Sequence, residues 1–143
     1  FSKLFGEGEK QKIVQIFKQT FFILFLFSLV TCLILLFLSD RILMLFGQDF
    51  SGGSTILKII LPSLFIRMIS IPCNAFLSGT KYILVPNIGG IIILLVSSFS
   101  WFFLVPNYHE LGIAMGYSLG ITIGIGYQIV SSIFKLKSFM SSN

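Results

Sequence analysis

The chain has 143 residues, of which 55% are hydrophobic and only 10% charged, and it carries a formal net charge of +5. An ordinary soluble domain has about 25% charged residues, so this balance argues against every water-soluble class and indicates an all-α integral membrane protein. The excess of lysine does not point to nucleic acid either, because no basic patch is interleaved with stacking aromatics.

The first twelve residues, "FSKLFGEGEKQK", are polar and start at Phe1 rather than methionine. They read as the continuation of an earlier segment, which makes the chain a fragment with further helices expected N-terminal to it. From Gln19 to Ser39 the only ionisable group is the thiol of Cys32. At about 1.5 Å per residue this run crosses a hydrocarbon core of about 30 Å. It is too long for the apolar region of a signal peptide, and no small-residue cleavage site follows it.

A second span is expected over residues 55–79, with Lys58 near one end and Arg67 near the centre. A third covers 82–105 and is stopped by "VPNYHE"; a fourth covers 111–134 and is stopped by "KLK". Four transmembrane helices joined by short polar loops result. Lys3, Lys10, Lys12 and Lys18, then Lys81, then Lys135 and Lys137 all fall on one side if the helices alternate. The opposite side holds Asp40, Arg41, Asp49, Lys58, His109 and Glu110, a much weaker basic bias, so both termini are expected to be cytoplasmic and drawn to anionic membrane lipids.

Span two contains the sharpest signal, "LPSLFIRMISIP". An arginine at the centre of a membrane helix costs about 2.5 to 3.5 kcal/mol, whereas each Leu, Ile, Phe or Val returns about 0.3 to 0.6. The apolar residues between Ile59 and Leu77 roughly offset Arg67 and leave little for Asn74 and the prolines, so this span depends on its neighbours. At about 100° per residue, Ser63, Arg67, Ser70, Asn74 and Ser78 share one narrow face. Pro62 and Pro72 each remove a backbone donor and free carbonyls near Lys58 and Met68. A helix with this stripe reads as the wall of a wet cavity; the bland alternative is that Arg67 pairs with a carboxylate or carbonyls on a neighbouring helix. None of the four spans holds an Asp or Glu to serve, so that acid would come from elsewhere in the protein. Lys58, one turn from a span end, can extend its amine to the headgroups.

In the fourth span, Gly112, Gly116, Gly120 and Gly124 recur every four residues, a pattern that lets another backbone approach closely. An intramolecular partner is expected for this helix-packing face, ahead of a homodimer. Span three has Trp101 where an interfacial aromatic belt would place it, and Ser97 and Ser100 are candidates for bonds to a neighbouring helix. Cys32 and Cys73 lie inside spans and read as packing residues. No cysteine or histidine pair has metal-ligand spacing, no cofactor motif occurs, and His109 beside Glu110 reads as an ordinary solvated loop residue.

The order of "FSKLFGEGEKQK", "LFGQDF", "LSGTKYILVPN", "FLVPNY" and "LGIAMG" resembles the second half of polysaccharide repeat-unit flippases of the O-antigen type. These share a superfamily with multidrug and toxin extrusion transporters and peptidoglycan lipid flippases. The resemblance implies twelve or fourteen helices in two bundles around a central cavity worked by alternating access. Residues 1–143 would then be the C-terminal part of the second bundle in a twelve-helix member of a bacterial cytoplasmic membrane. It implies as substrate an oligosaccharide linked to a polyprenyl diphosphate. Arg67 is the candidate partner of the diphosphate, with Ser63, Ser70 and Asn74 as hydrogen-bonding neighbours. In one respect the sequence departs from the family: after "FLVP" the usual Tyr-Gly pair and Gly-Ala-Ala run are replaced by "NYHELGIAMG".

Two other readings stand beside this one. A drug or cation antiporter of the extrusion type generally needs acidic groups in its pathway, which these spans do not offer. A nontransporting membrane anchor or assembly subunit would leave the face around Arg67 without a purpose.

Overall fold

The computed structural model describes residues 10–44 and 53–141. The first nine residues with Lys3, the "LFGQDF" segment with Asp49, and the last two residues lie outside that description. Three helices follow one another: α1 (Lys10–Met44), α2 (Gly53–Ser78) and α3 (Leu84–Ser141). All three are long and apolar enough to cross a membrane. In hydrocarbon each backbone polar group needs an internal partner, which is why such apolar runs become helices.

As a straight rod the 58 residues of α3 would measure about 87 Å, far more than a bilayer core. The helix is in fact broken at His109, whose φ of 49° and ψ of −120° are non-helical. Its two arms, residues 84–108 and 110–141, lie antiparallel. The pairing runs from Gly112 beside Leu104, through Gly116 beside Trp101 and Gly120 beside Ser97, to Gly124 beside Gly89 and Ile93. The polar loop expected at "VPNYHE" is thus reduced to a one-residue break. Pro106 has already removed a backbone donor one turn earlier, while Asn107 donates its side-chain amide to the Phe103 carbonyl at 3.0 Å.

The link between α2 and α3 is the five-residue turn 79–83, two residues of which had been expected to begin span three. The Gly79 amide donates to the Ala75 carbonyl and the Val85 amide to that of Tyr82. The Thr80 hydroxyl donates to the carbonyls of Phe76 (2.9 Å) and Leu77 (3.3 Å). The bonds to Ala75, Phe76 and Leu77 satisfy carbonyls that the end of α2 would otherwise leave open.

Lateral order follows from the contacts. α2 lies between α1 and the second arm of α3. The first arm packs on the second. Ser118 donates to the Ile59 carbonyl and Ser132 to that of Cys73, at a common offset of 59 residues, so α2 and the second arm run parallel. The densest packing joins Ile13 and Phe17 of α1 to Cys73, Phe76 and Leu77 of α2, flanked by Phe21, Tyr82, Val85, Ile129 and Leu136. Phe17 meets Phe76 edge-on at 5.8 Å, an arrangement adding about 0.5 to 1.5 kcal/mol.

Lipid tails are as apolar as leucine, so this cohesion rests on close packing and interhelical bonds rather than on escape from solvent. Exposure follows the same logic. In α1, Phe22, Ile23, Phe27 and Phe37 point outward, the last 74% exposed, as suits a surface facing acyl chains.

Candidate functional site

The most apolar stretch of α2 is less hydrophobic than those of α1 and α3, and it is the most enclosed, 33% buried against 6% and 11%. The helix least able to face lipid is the one held between neighbours. Its polar stripe divides in two. Ser63 and Ser70 are essentially inaccessible, and each donates its hydroxyl at 2.7 Å to a carbonyl three residues earlier, Ile60 and Arg67 respectively. Serines bond back to their own helix in this way when apolar surroundings offer no better acceptor. The hydroxyl hydrogens expected to serve a substrate are therefore committed within α2. Arg67 and Ser78 are exposed, and Asn74 is half-buried.

The guanidinium of Arg67 donates from Nη1 to the hydroxyl of Tyr117, on the second arm of α3, at 3.1 Å. A hydrogen bond to a charged group is worth about 1.5 to 3 kcal/mol and recovers much of the insertion cost of the arginine. A phenol, unlike a carboxylate, leaves the positive charge whole. The partners expected from the sequence were a carboxylate or backbone carbonyls, not the phenol of Tyr117; a tyrosine among glycines on the facing helix was the available signal. Asn74 adds a second unspent group, since its Oδ1 is buried and has no partner.

The carbonyls around the two prolines are drawn into contacts with both neighbouring helices. Ile59 and Cys73 accept from Ser118 at 3.2 Å and Ser132 at 3.3 Å. On the α1 side, Cys32 Sγ donates to Leu61 at 3.9 Å and Ser28 Oγ to Phe65 at 3.5 Å. Between α1 and α2 lies an apolar recess of about 240 Å³, bounded by Leu29, Cys32, Leu36, Leu61, Pro62 and Phe65. Arg67 does not line it. At its rim the amine of Lys58 meets Asp40 at 3.4 Å, with both side chains well exposed, so solvent screens the pair and it contributes little to stability. Lys58 thus has a carboxylate partner in addition to any headgroup it reaches.

Gly112, Gly116, Gly120 and Gly124 all turn toward the first arm of α3. A Cβ on Gly112 would come within 2.5 Å of the Leu104 carbonyl oxygen, and one on Gly120 within 2.8 Å of that of Ile93. On Gly124 it would lie 2.7 Å from the Gly89 oxygen, and on Gly116 it would run into the Trp101 ring. Trp101 donates its indole N–H across the seam to the Ile113 carbonyl at 3.0 Å. Of the two serines expected to bond to a neighbour, Ser97 instead has a buried hydroxyl without a partner. A residue not singled out from the sequence, Gln128, fills the space over Gly89 and donates Nε2 to the Pro86 carbonyl at 3.1 Å.

Among the described residues there is no cluster of His, Cys, Asp or Glu able to hold a metal ion. Both cysteines are free thiols. Among the described residues the arrangement offers a cation, Arg67, met by a neutral hydroxyl on the most enclosed of the three helices.

Comparison with known families gives one match: the MatE family model aligns with residues 1–102, which take in α1, α2 and most of the first arm of α3. Neither the curated proteins nor the solved structures include a match. With nearly three quarters of its length under that match and three helices fit to span a bilayer, the chain belongs to the MatE family of membrane transporters, within the superfamily of multidrug, oligosaccharidyl-lipid and polysaccharide exporters.

Proposed function

We propose that the chain is part of a lipid-linked oligosaccharide flippase, which carries repeat units on a polyprenyl diphosphate across a bacterial cytoplasmic membrane for polysaccharide assembly. In this reading α1, α2 and the two arms of α3 make four crossings, the last four of a twelve-helix, two-bundle transporter. The lysine-rich end, with Lys12, Lys18, Lys81, Lys135 and Lys137, faces the cytoplasm, as the positive-inside rule requires.

The observation that carries the proposal is the state of Arg67: a mid-span guanidinium held by a neutral hydroxyl rather than neutralised by an acid. Such a group can receive phosphate oxygens through its planar fork and remains charged when partly desolvated. Tyr117 would hold one edge of the fork and leave the other for the substrate. The cation lowers the barrier to moving a diphosphate through a low-dielectric region, a matter of transit rather than of tight binding. Asn74 is the second proposed substrate contact. Ser63 and Ser70 act from behind, their hydroxyls shaping the helix turn from which Arg67 projects.

The test is export of the cognate glycan by Arg67→Ala and Arg67→Lys in the full-length protein at matched membrane abundance. Loss with alanine and partial rescue by lysine are expected. Full export by the alanine variant removes Arg67 from the mechanism. Unchanged glycan export with lost resistance to organic cations transfers the chain to the drug-extrusion branch.

A further inference from the structure

A second cationic site lies at the lysine-rich end, away from Arg67 and independent of the substrate proposed above. Lys135, at the end of the second arm of α3, places its amine 5.0 Å from the centre of the Tyr82 ring, and Lys81 places its own at 5.5 Å from the same ring. Tyr82 belongs to the turn 79–83, and its ring packs against the cluster of Ile13, Phe17, Cys73, Phe76 and Leu77. The platform is therefore fixed by the core, and two like charges from distant parts of the chain are brought to it. A ring face attracts each cation weakly at an exposed site but does not cancel either charge. Among the described residues no carboxylate lies within ion-pair distance of Lys81 or Lys135, whereas Lys58 has Asp40. The N-terminus of α3, beginning at Leu84, adds partial positive charge beside them.

What surrounds the cations selects the anion. Ile83 is 55% exposed, Leu84 is 70% exposed, and Ile88 one turn on is also open. A soluble phosphate would have no use for these apolar side chains, whereas a phospholipid would lay its acyl chains on them with its phosphate at the amines. We infer that Lys81, Tyr82 and Lys135 form a seat for an anionic phospholipid headgroup, with Ile83, Leu84 and Ile88 under its chains. The seat touches the loop joining α2 to α3 and the end of the second arm, so an occupied site ties together the helices that carry Arg67 and Tyr117.

The experiment uses the full-length protein, reconstituted into vesicles of phosphatidylcholine alone or of four parts phosphatidylcholine to one part phosphatidylglycerol, then re-extracted for measurement of retained lipid. The unaltered protein is expected to retain phosphatidylglycerol selectively. Lys81→Gln and Lys135→Gln should each lower that retention about 5-fold, and together about 25-fold, from the usual strength of a lysine near an anionic surface. Lys58→Gln, an equal loss of charge elsewhere, should leave it unchanged. Undiminished retention by the double variant overturns the site, and an equal loss in Lys58→Gln reduces it to an effect of net charge. Stabilisation by inorganic phosphate alone as large as that by phosphatidylglycerol overturns the assignment to lipid.

Discussion

The second arm of α3 is packed on two sides, and the two seams are built on opposite terms. Against the first arm it presents Gly112, Gly116, Gly120 and Gly124, with no room for even a methyl group. Against α2 it presents Tyr117, Ser118 and Ser132, each reaching across with one hydrogen bond. A seam of backbone against backbone holds by interlocking shape and allows almost no sliding. One made of separate side-chain bonds can be broken and remade a turn away, since α2 carries further carbonyls along its length. The difference suits a transporter: the arms of α3 form a rigid pair, and α2, carrying Arg67, rests against that pair through replaceable bonds.

The largest effect is expected at the glycine seam. Gly112→Leu is expected to abolish stable accumulation in the membrane, because its side chain would meet the backbone of Leu104 and Val105 and overpacking costs about 1 to 3 kcal/mol or more. Gly90→Leu, where nothing lies within 4 Å, should accumulate normally. Detergent-resistant folded protein, measured for both, checks the pair; equal abundance would show that the seam tolerates bulk.

A smaller effect of opposite sign is expected at the break between the arms. His109 sits at φ 49°, a region that costs a residue with a Cβ about 1 to 3 kcal/mol and glycine almost nothing. His109→Gly should therefore raise the midpoint of thermal unfolding in detergent, and a lowered midpoint would mean that the imidazole holds the turn.

At the α2 seam single deletions should be mild. Ser132→Ala and Ser118→Ala each remove one bond to a carbonyl of α2, and interhelical bonds in membranes average about 0.6 kcal/mol. Ser63→Ala should be smaller still, since its hydroxyl serves only its own helix. Equilibrium unfolding of the three variants ranks them; a Ser63 effect above that of Ser132 would contradict the division of the polar stripe into structural and outward-facing halves.

Much of the architecture was legible in the chain because lipid imposes a simple test: an apolar run of sufficient length must become a helix, and lysine marks one of its ends. The apolar runs picked out by that test lie within helices, apart from Gly79 at the end of span two and the two turn residues at the start of span three. The bounds differ because helices continue into polar residues where lipid no longer sets a limit, as α1 does from Gln19 back to Lys10. Arg67 was legible for the same reason, as a charge where the medium charges most for one.

The partners were not legible. Periodicity places Ser63, Arg67 and Ser70 on one face, but which of them turn inward depends on how α2 sits between α1 and the second arm of α3. That orientation follows from packing between residues far apart in the chain, such as Phe17 on Phe76 and Ser132 on Cys73. Composition and spacing by themselves determined a membrane protein's helices and located the costly charge on one of them. Only the tertiary structure decided that the charge is met by the hydroxyl of Tyr117 and that the glycines close on their own preceding arm, because contacts across dozens of residues arise from three-dimensional fit and leave no local mark in the sequence.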